Sequence, residues 1–216
     1  MSDDAARAAA WVRQATALVF DFDGTLVDSN PIKRRGFEFV FADAPRREEI
    51  LDYCRRHVHL PRGEKFRHAC EQIAGQPYTP EVAARLEGRF EDATTRQIIE
   101  APEVPGALRW LQGAAGRQVT ALLSSTPQET LERILAQRAW RPYFEVVQGA
   151  PVDKGAWLAS FRQSRRLPGE AVVCFGDALQ DAAAARQAGC RFVGVGPALR
   201  GAVSDPVIDD WTGMMP

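Results

Sequence analysis

Short runs of consecutive apolar and β-branched residues alternate along this chain with segments in which apolar positions recur every three or four residues. The runs are Ala17–Phe20, Val119–Leu123, Phe144–Val147, Ala171–Phe175 and Arg191–Val195, with Pro206–Ile208 a candidate sixth. Near-continuous apolar runs are the pattern of strands buried on both faces of a parallel sheet, whereas a half-exposed strand alternates. The intervening segments carry helix punctuation. Pro105 opens one that ends near Gly116, and Pro127 opens another before Leu131, Ile134 and Leu135. Asp153 is placed to cap a third, and the Ala-rich stretch Ala178–Ala188 stops at Gly189. Strand and helix in alternation predict a doubly wound α/β core, a parallel Rossmann-like sheet with helices on both faces.

One connection breaks this rhythm. From Asp21 to Arg117 there are 97 residues, both ends included, where a plain crossover needs roughly a dozen or more. The excess holds helical patterns near Pro31–Ala42, Arg46–Arg56, Gly63–Ile73 and Pro80–Glu100. The expected organisation is therefore an α/β core made of residues 1–29 and 103–216, with an inserted helical cap over residues 30–102. Such an insertion would sit over the carboxyl ends of the strands, where open α/β sheets bind ligands. Its hinges are expected at Ser29 to Pro31 and around Ala101–Pro105. Residues 1–15 read as a helical extension carrying Trp11, with no function legible in them.

Composition narrows the classes without choosing among them. Hydrophobic residues make up 45% and charged residues 25%, ordinary for a globular domain, and the formal net charge of −1 offers no field to recruit nucleic acid or an anionic membrane. No apolar run approaches the length of a bilayer span, and the N-terminus lacks the basic-then-apolar order of a secretory signal. The four cysteines, Cys54, Cys70, Cys174 and Cys190, show no Cys-x-x-Cys spacing. A cytoplasmic protein with reduced thiols, monomeric or dimeric, is expected.

Chemistry gathers where the predicted strands end. After the first comes Asp21-Phe22-Asp23-Gly24-Thr25. Residues i and i+2 of an extended segment point the same way, so both carboxylates can face one reaction centre, and Gly24 permits the sharp turn behind them. A carboxylate nucleophile, a proton-transfer group and an oxygen-ligand metal site can each be built from such a pair. After the second strand come Ser124-Ser125-Thr126-Pro127, read as the entry of a helix whose N–H groups suit a phosphate. Lys154 follows the third strand, and Gly176-Asp177-x-x-x-Asp181 follows the fourth, with Asp181 one turn beyond Asp177 on the same face. Singly, these are caps and solvated charges. Jointly, in this order at one rim, they read as an active site.

In this order the motifs resemble those of the haloacid dehalogenase-like hydrolase superfamily, in its branch with a helical cap, the branch of phosphoglycolate phosphatase and β-phosphoglucomutase. The resemblance covers nearly the whole chain. It implies an aspartyl-phosphate mechanism with Asp21 as nucleophile and Asp23 as general acid and base. It also implies Ser124 and Ser125 as phosphate contacts, the latter largely through backbone, and Lys154 as the cation that steadies nucleophile and phosphoryl group. The implied Mg²⁺ site comprises Asp21, the backbone carbonyl of Asp23, Asp177, and Asp181 directly or through water. Ser125 stands where the family often has Asn, Ala178 where Ser or Thr is usual, and Gly155 where Pro is frequent. None of these removes a catalytic group. Asp23 argues against dehalogenase and phosphonoacetaldehyde hydrolase activities, leaving a phosphatase acting on a small phosphorylated metabolite, a phosphosugar or phosphoglycolate. The alternatives are a phosphomutase or a non-catalytic binding member.

The inserted segment is basic, with Arg55, Arg56, His57, His59, Arg62, Lys65, Arg67 and His68. Arg62 and Lys65 are the candidates to meet the substrate. A zinc site from Cys54, His57, His59, His68 and Cys70 would require a spacing that fits no regular zinc motif.

Overall fold

A computed structural model describes residues 2–57 and 60–214. The chain folds as two compact units, Met1–Asp28 with Ala101–Pro216, and Ser29–Glu100.

The first unit is the doubly wound α/β core. Its strands β1 (Ala17–Phe20), β2 (Val119–Pro127), β3 (Val146–Ala150), β4 (Val172–Gly176), β5 (Arg191–Val195) and β6 (Val207–Ile208) form one parallel sheet in the order β3-β2-β1-β4-β5-β6. Every residue of β1 and β4 is buried, which explains their unbroken apolar runs. The order reverses direction between β1 and β4, so their carboxyl ends frame the crevice where such sheets take ligands. The register pairs Phe20 with Phe175. Asp21 and Asp177 thus leave neighbouring strands at nearly the same level.

Two strands depart from the expected bounds by more than one residue. β3 starts at Val146, because Phe144 instead fills the core beside Phe20 with its ring centroid 6.3 Å away. β2 runs on past Leu123 to Pro127, which pairs with Ala150 after a shift of register. The following helix begins only at Gln128. Ser124 is therefore a strand residue and not the entry of a helix, and its hydroxyl accepts the Thr126 N–H at 3.1 Å.

The residues before β1 form a helix, α1 (Asp3–Gln14), capped by the Ser2 hydroxyl with Asp3 and Asp4 in its first turn. Ala5, Ala8, Ala9 and Val12 make its buried stripe. Asp4 accepts from the Val207 N–H and Arg7 donates to the Ser204 carbonyl, so α1 closes over the edge strand β6. The Trp11 ring lies between the guanidinium groups of Arg7 and Arg191, at 5.4 and 5.3 Å.

The second unit is helical: α2 (Asn30–Val40), α3 (Arg47–Arg56), α4 (Arg62–His68) leading into a π-helical turn (Ala69–Ile73), and α5 (Pro80–Glu100). Phe37, Phe66 and Phe90 pack edge-to-face at its centre, around buried Ile50, Leu51 and Leu86. Gly36 lets α2 approach α5 closely, since a Cβ there would come within 2.6 Å of Thr94 Cγ2 and 2.8 Å of Phe90 Cε2. Among the described residues no helix is long and apolar enough to cross a membrane.

Candidate active site

Asp21 directly follows β1, its N–H donating to the Phe175 carbonyl at 2.9 Å, an extension of the sheet's hydrogen bonding that ties the residue to β4. The chain then turns back. Leu26 and Val27 both donate to the Phe22 carbonyl, and Gly24 takes a positive φ of 77° that a side chain would resist. Thr25 Oγ1 lies 3.5 Å from Asp21 Oδ2, and the Thr25 carbonyl accepts from Trp211 Nε1 at 2.8 Å. Asp21 and Asp23 are both buried, at 9% and 8% exposure.

The helix Lys154–Ser164 is capped by Asp153, whose carboxylate accepts the Ala156 N–H at 2.8 Å. That cap places Lys154 at the first helical position. Its Nζ bridges two carboxylates, Asp21 Oδ1 and Asp181 Oδ1, each at 2.7 Å. Asp181 lies in the first turn of the helix Leu179–Gln187, and its other oxygen accepts the Ala178 N–H. Gly176 is required beneath it, because a Cβ there would collide with the Asp181 side chain. Oxygens of Asp21, Asp177 and Asp181 all lie within 4.8 Å of one another.

Charge in this cluster is unbalanced. Burial pushes the Asp21 pKa up to about 8, against the pull of Lys154 and with the push of Asp181, Asp177 and Asp23. Burial also works against the Lys154 ammonium, but the carboxylates of Asp21 and Asp181 outweigh it and hold its pKa above the ordinary lysine range. One ammonium thus faces four carboxylates. A largely buried, oxygen-only donor set carrying excess negative charge fits a hard divalent cation such as Mg²⁺.

The structure therefore brings Asp21, Asp23, Lys154, Asp177 and Asp181 together. Ser124 is buried near them, its Oγ 3.5 Å from Asp23 Oδ2, while the Ser125 side chain is exposed. Two residues were not anticipated. Thr126 Oγ1 donates to Asp23 Oδ2 at 2.9 Å, and Trp211 supports the Thr25 loop. Thr126 was within reach of a period-2 reading, since it stands two residues after Ser124 on a strand. Trp211, 186 positions from Thr25, offered no local signal.

A model of the haloacid dehalogenase-like hydrolase family matches residues 15–189. The chain belongs to that family. It is also similar, at 28% identity over 187 residues, to a phosphorylated carbohydrates phosphatase of Thermotoga maritima, with 83% of this chain and 84% of the relative covered. Among solved structures it is similar to CbbY of Rhodobacter sphaeroides, determined with xylulose-1,5-bisphosphate, at 20% identity and a TM-score of 0.73 over 94% of this chain and 100% of that one. A haloacid dehalogenase-like protein of Streptococcus pneumoniae aligns at 18% identity and a TM-score of 0.68, over 91% and 94%. These structural likenesses speak to the fold: this hydrolase has the doubly wound sheet of its family.

In the helical unit of this haloacid dehalogenase-like hydrolase, the two expected substrate contacts have different surroundings. The Arg62 guanidinium is paired with Glu87 and Glu91 of α5 and lies 4.6 Å over the Phe90 ring. It fastens α4 to α5. Lys65 is buried, with its Nζ 4.7 Å over the Phe37 ring. Burial lowers its pKa to about 8, with Cys54 opposing and Lys33 assisting. The His57 and His68 rings stack on Tyr53 at 4.1 and 3.8 Å. Among the described residues, the one group placed to hold a metal is Asp21, Asp177 and Asp181. His59 lies outside the described residues.

Proposed function

We propose that this protein is a Mg²⁺-dependent phosphatase that hydrolyses a small phosphorylated metabolite, a phosphosugar or phosphoglycolate-like ester, through an aspartyl phosphate on Asp21. The observation that carries the reading is Lys154 bridging Asp21 and Asp181 within a cluster that also holds Asp23 and Asp177. The name of the Thermotoga relative supports a phosphorylated carbohydrate as the substrate class.

Asp21 attacks phosphorus as its bond to the ester oxygen breaks, and Asp23 gives its proton to that departing oxygen. Asp23, now a carboxylate, takes a proton from the water that attacks the aspartyl phosphate. Cleavage then releases inorganic phosphate and restores Asp21. Lys154 holds Asp21 in place and offsets charge on the transferring group. Ser124, with the backbone at Ser125, holds phosphoryl oxygens. Mg²⁺, when held by Asp21, Asp177, Asp181 and the Asp23 carbonyl, supplies the positive charge that lets one anion approach another. The helical unit is read as an inserted cap, hinged at residues 29–31 and 101–105. Of its two candidate substrate contacts, Arg62 is engaged by Glu87 and Glu91, and Lys65 packs over the Phe37 ring.

The test is phosphate release from a panel of sugar phosphates, phosphoglycolate and p-nitrophenyl phosphate. Treatment with EDTA abolishes turnover, and Mg²⁺ added back in excess restores it. Turnover that survives exhaustive chelation would remove the metal-dependent reading. Absence of phosphate release from every ester of the panel would remove phosphatase activity.

A further inference from the structure

Asp23 is anchored to β2 at Thr126, just beyond the Ser124-Ser125 pair assigned to phosphate. Thr126 Oγ1 donates to Asp23 Oδ2 at 2.9 Å, and Ser124 Oγ reaches the same oxygen at 3.5 Å. The Ser124 hydroxyl in turn accepts the Thr126 N–H at 3.1 Å. All three side chains are buried. The arrangement exists because β2 continues through Thr126, so that residues 124 and 126 present their hydroxyls on one side of an extended strand. A helix beginning at Ser124 would have scattered them. Thr126 is β-branched, which restricts its χ1 and with it the direction of its hydroxyl.

A carboxyl group that transfers a proton must present one particular oxygen. Rotation about its last bond exchanges the two, and misorientation costs rate because the proton must travel along a short, aligned path. With Thr126 donating to Oδ2, that oxygen is an acceptor, and the transferable proton belongs on Oδ1. We infer that Thr126 is a positioning residue for proton transfer by Asp23, locking the carboxyl so that Oδ1 faces the ester oxygen. This rests on the acid–base assignment of Asp23 made above. The competing explanation is that Thr126 merely satisfies its own buried hydroxyl, as buried polar groups generally do.

The two explanations differ in how the loss depends on the leaving group. Protonation matters most for a strongly basic alkoxide and least for a weakly basic aryloxide. Thr126→Val keeps the shape and the β-branching and deletes the hydroxyl. Its kcat/KM on an alkyl phosphate should fall about 10- to 100-fold, the usual range for a residue that orients a reacting group. On p-nitrophenyl phosphate the loss should be smaller by about an order of magnitude. Thr126→Ser should restore most of the alkyl-phosphate rate, and Thr126→Ala, should the Val variant fail to fold, should behave as Val is expected to. Equal losses on both esters, or no loss on either, would overturn the positioning role while leaving an active phosphatase. A parent protein that cleaves neither ester would overturn the acid–base reading, and the positioning role with it.

Discussion

Asp21→Asn abolishes phosphate release, lowering kcat by at least about 10³-fold on every ester the parent protein cleaves, because the amide supplies no nucleophilic oxygen pair to phosphorus. The same substitution leaves the fold intact. Asp21 is one of four carboxylates around a single ammonium, and Lys154 keeps Asp181 as a partner at 2.7 Å when Asp21 is neutralised. The sign of the stability effect follows from the direction of the Asp21 shift. Its carboxyl titrates higher in the folded chain, near pH 8, than the ordinary value of 3.8. The unfolded chain is thus the first to ionise as pH rises, so this group costs stability increasingly between pH 4 and pH 8. In metal-free buffer at pH 7 the Asn variant should therefore melt at or above the parent's midpoint, and the two should converge below pH 4. Acid-quenching during turnover should leave phosphate on the Asp21 peptide of the parent and none on that of the variant. A variant that keeps a tenth or more of the parent's turnover would show that another group attacks phosphorus.

The parts of the site that were legible in the sequence are those where local chemistry and strand ends coincide. Asp21 and Asp177 each follow a buried apolar run and Lys154 follows the partly buried β3, and a doubly wound sheet turns that one-dimensional order into one rim. The α/β class was legible for the same reason: β1 and β4 are buried on both faces, and nothing but continuous apolar runs can serve there. What stayed hidden was set by partners distant in sequence. β2 carries on through Ser124-Ser125-Thr126 because Pro127 finds Ala150 across the sheet. A Ser-Ser-Thr-Pro string by itself reads as the start of a helix. The Phe144 side chain was assigned to a strand by its apolar neighbours, yet it fills space beside Phe20 before β3 begins. Arg62 reads as a candidate substrate contact in a basic stretch, and the Glu87 and Glu91 that hold it lie a helix away. Patterning finds elements; pairing between them decides which side chains remain available for a ligand.

Trp211→Ala should cost about 3–5 kcal/mol of folding stability, the usual range for deleting a large buried aromatic side chain. Trp211 is 2% exposed and sits among aromatic rings at centroid distances of 4.9 Å from Trp110, 5.0 Å from Phe175 and 5.8 Å from Phe20. Phe20 and Phe175 are themselves stacked face to face across the β1–β4 pairing, at 5.1 Å. These are the residues immediately before Asp21 and Gly176, so a void left by Trp211 opens directly beneath the candidate site. Close-packed interiors collapse only partly around such a void. The indole N–H adds a second contribution, since it donates to the Thr25 carbonyl in the turn that carries Asp21 and Asp23. Trp211→Phe separates the two effects. It keeps an aromatic ring and removes the donor, and should cost about 1–3 kcal/mol if the carbonyl stays buried without another partner. Urea unfolding measures both variants, with the Ala midpoint lower than the Phe midpoint and both below the parent. The turn also connects stability to turnover. In the Phe variant, kcat should fall at temperatures where the protein is still fully folded, because the Thr25 carbonyl loses the indole N–H that holds the loop aiming Asp21 at phosphorus. A Phe variant with the parent's kcat and a lowered midpoint would limit Trp211 to packing, and an Ala variant with the parent's midpoint would exclude even that.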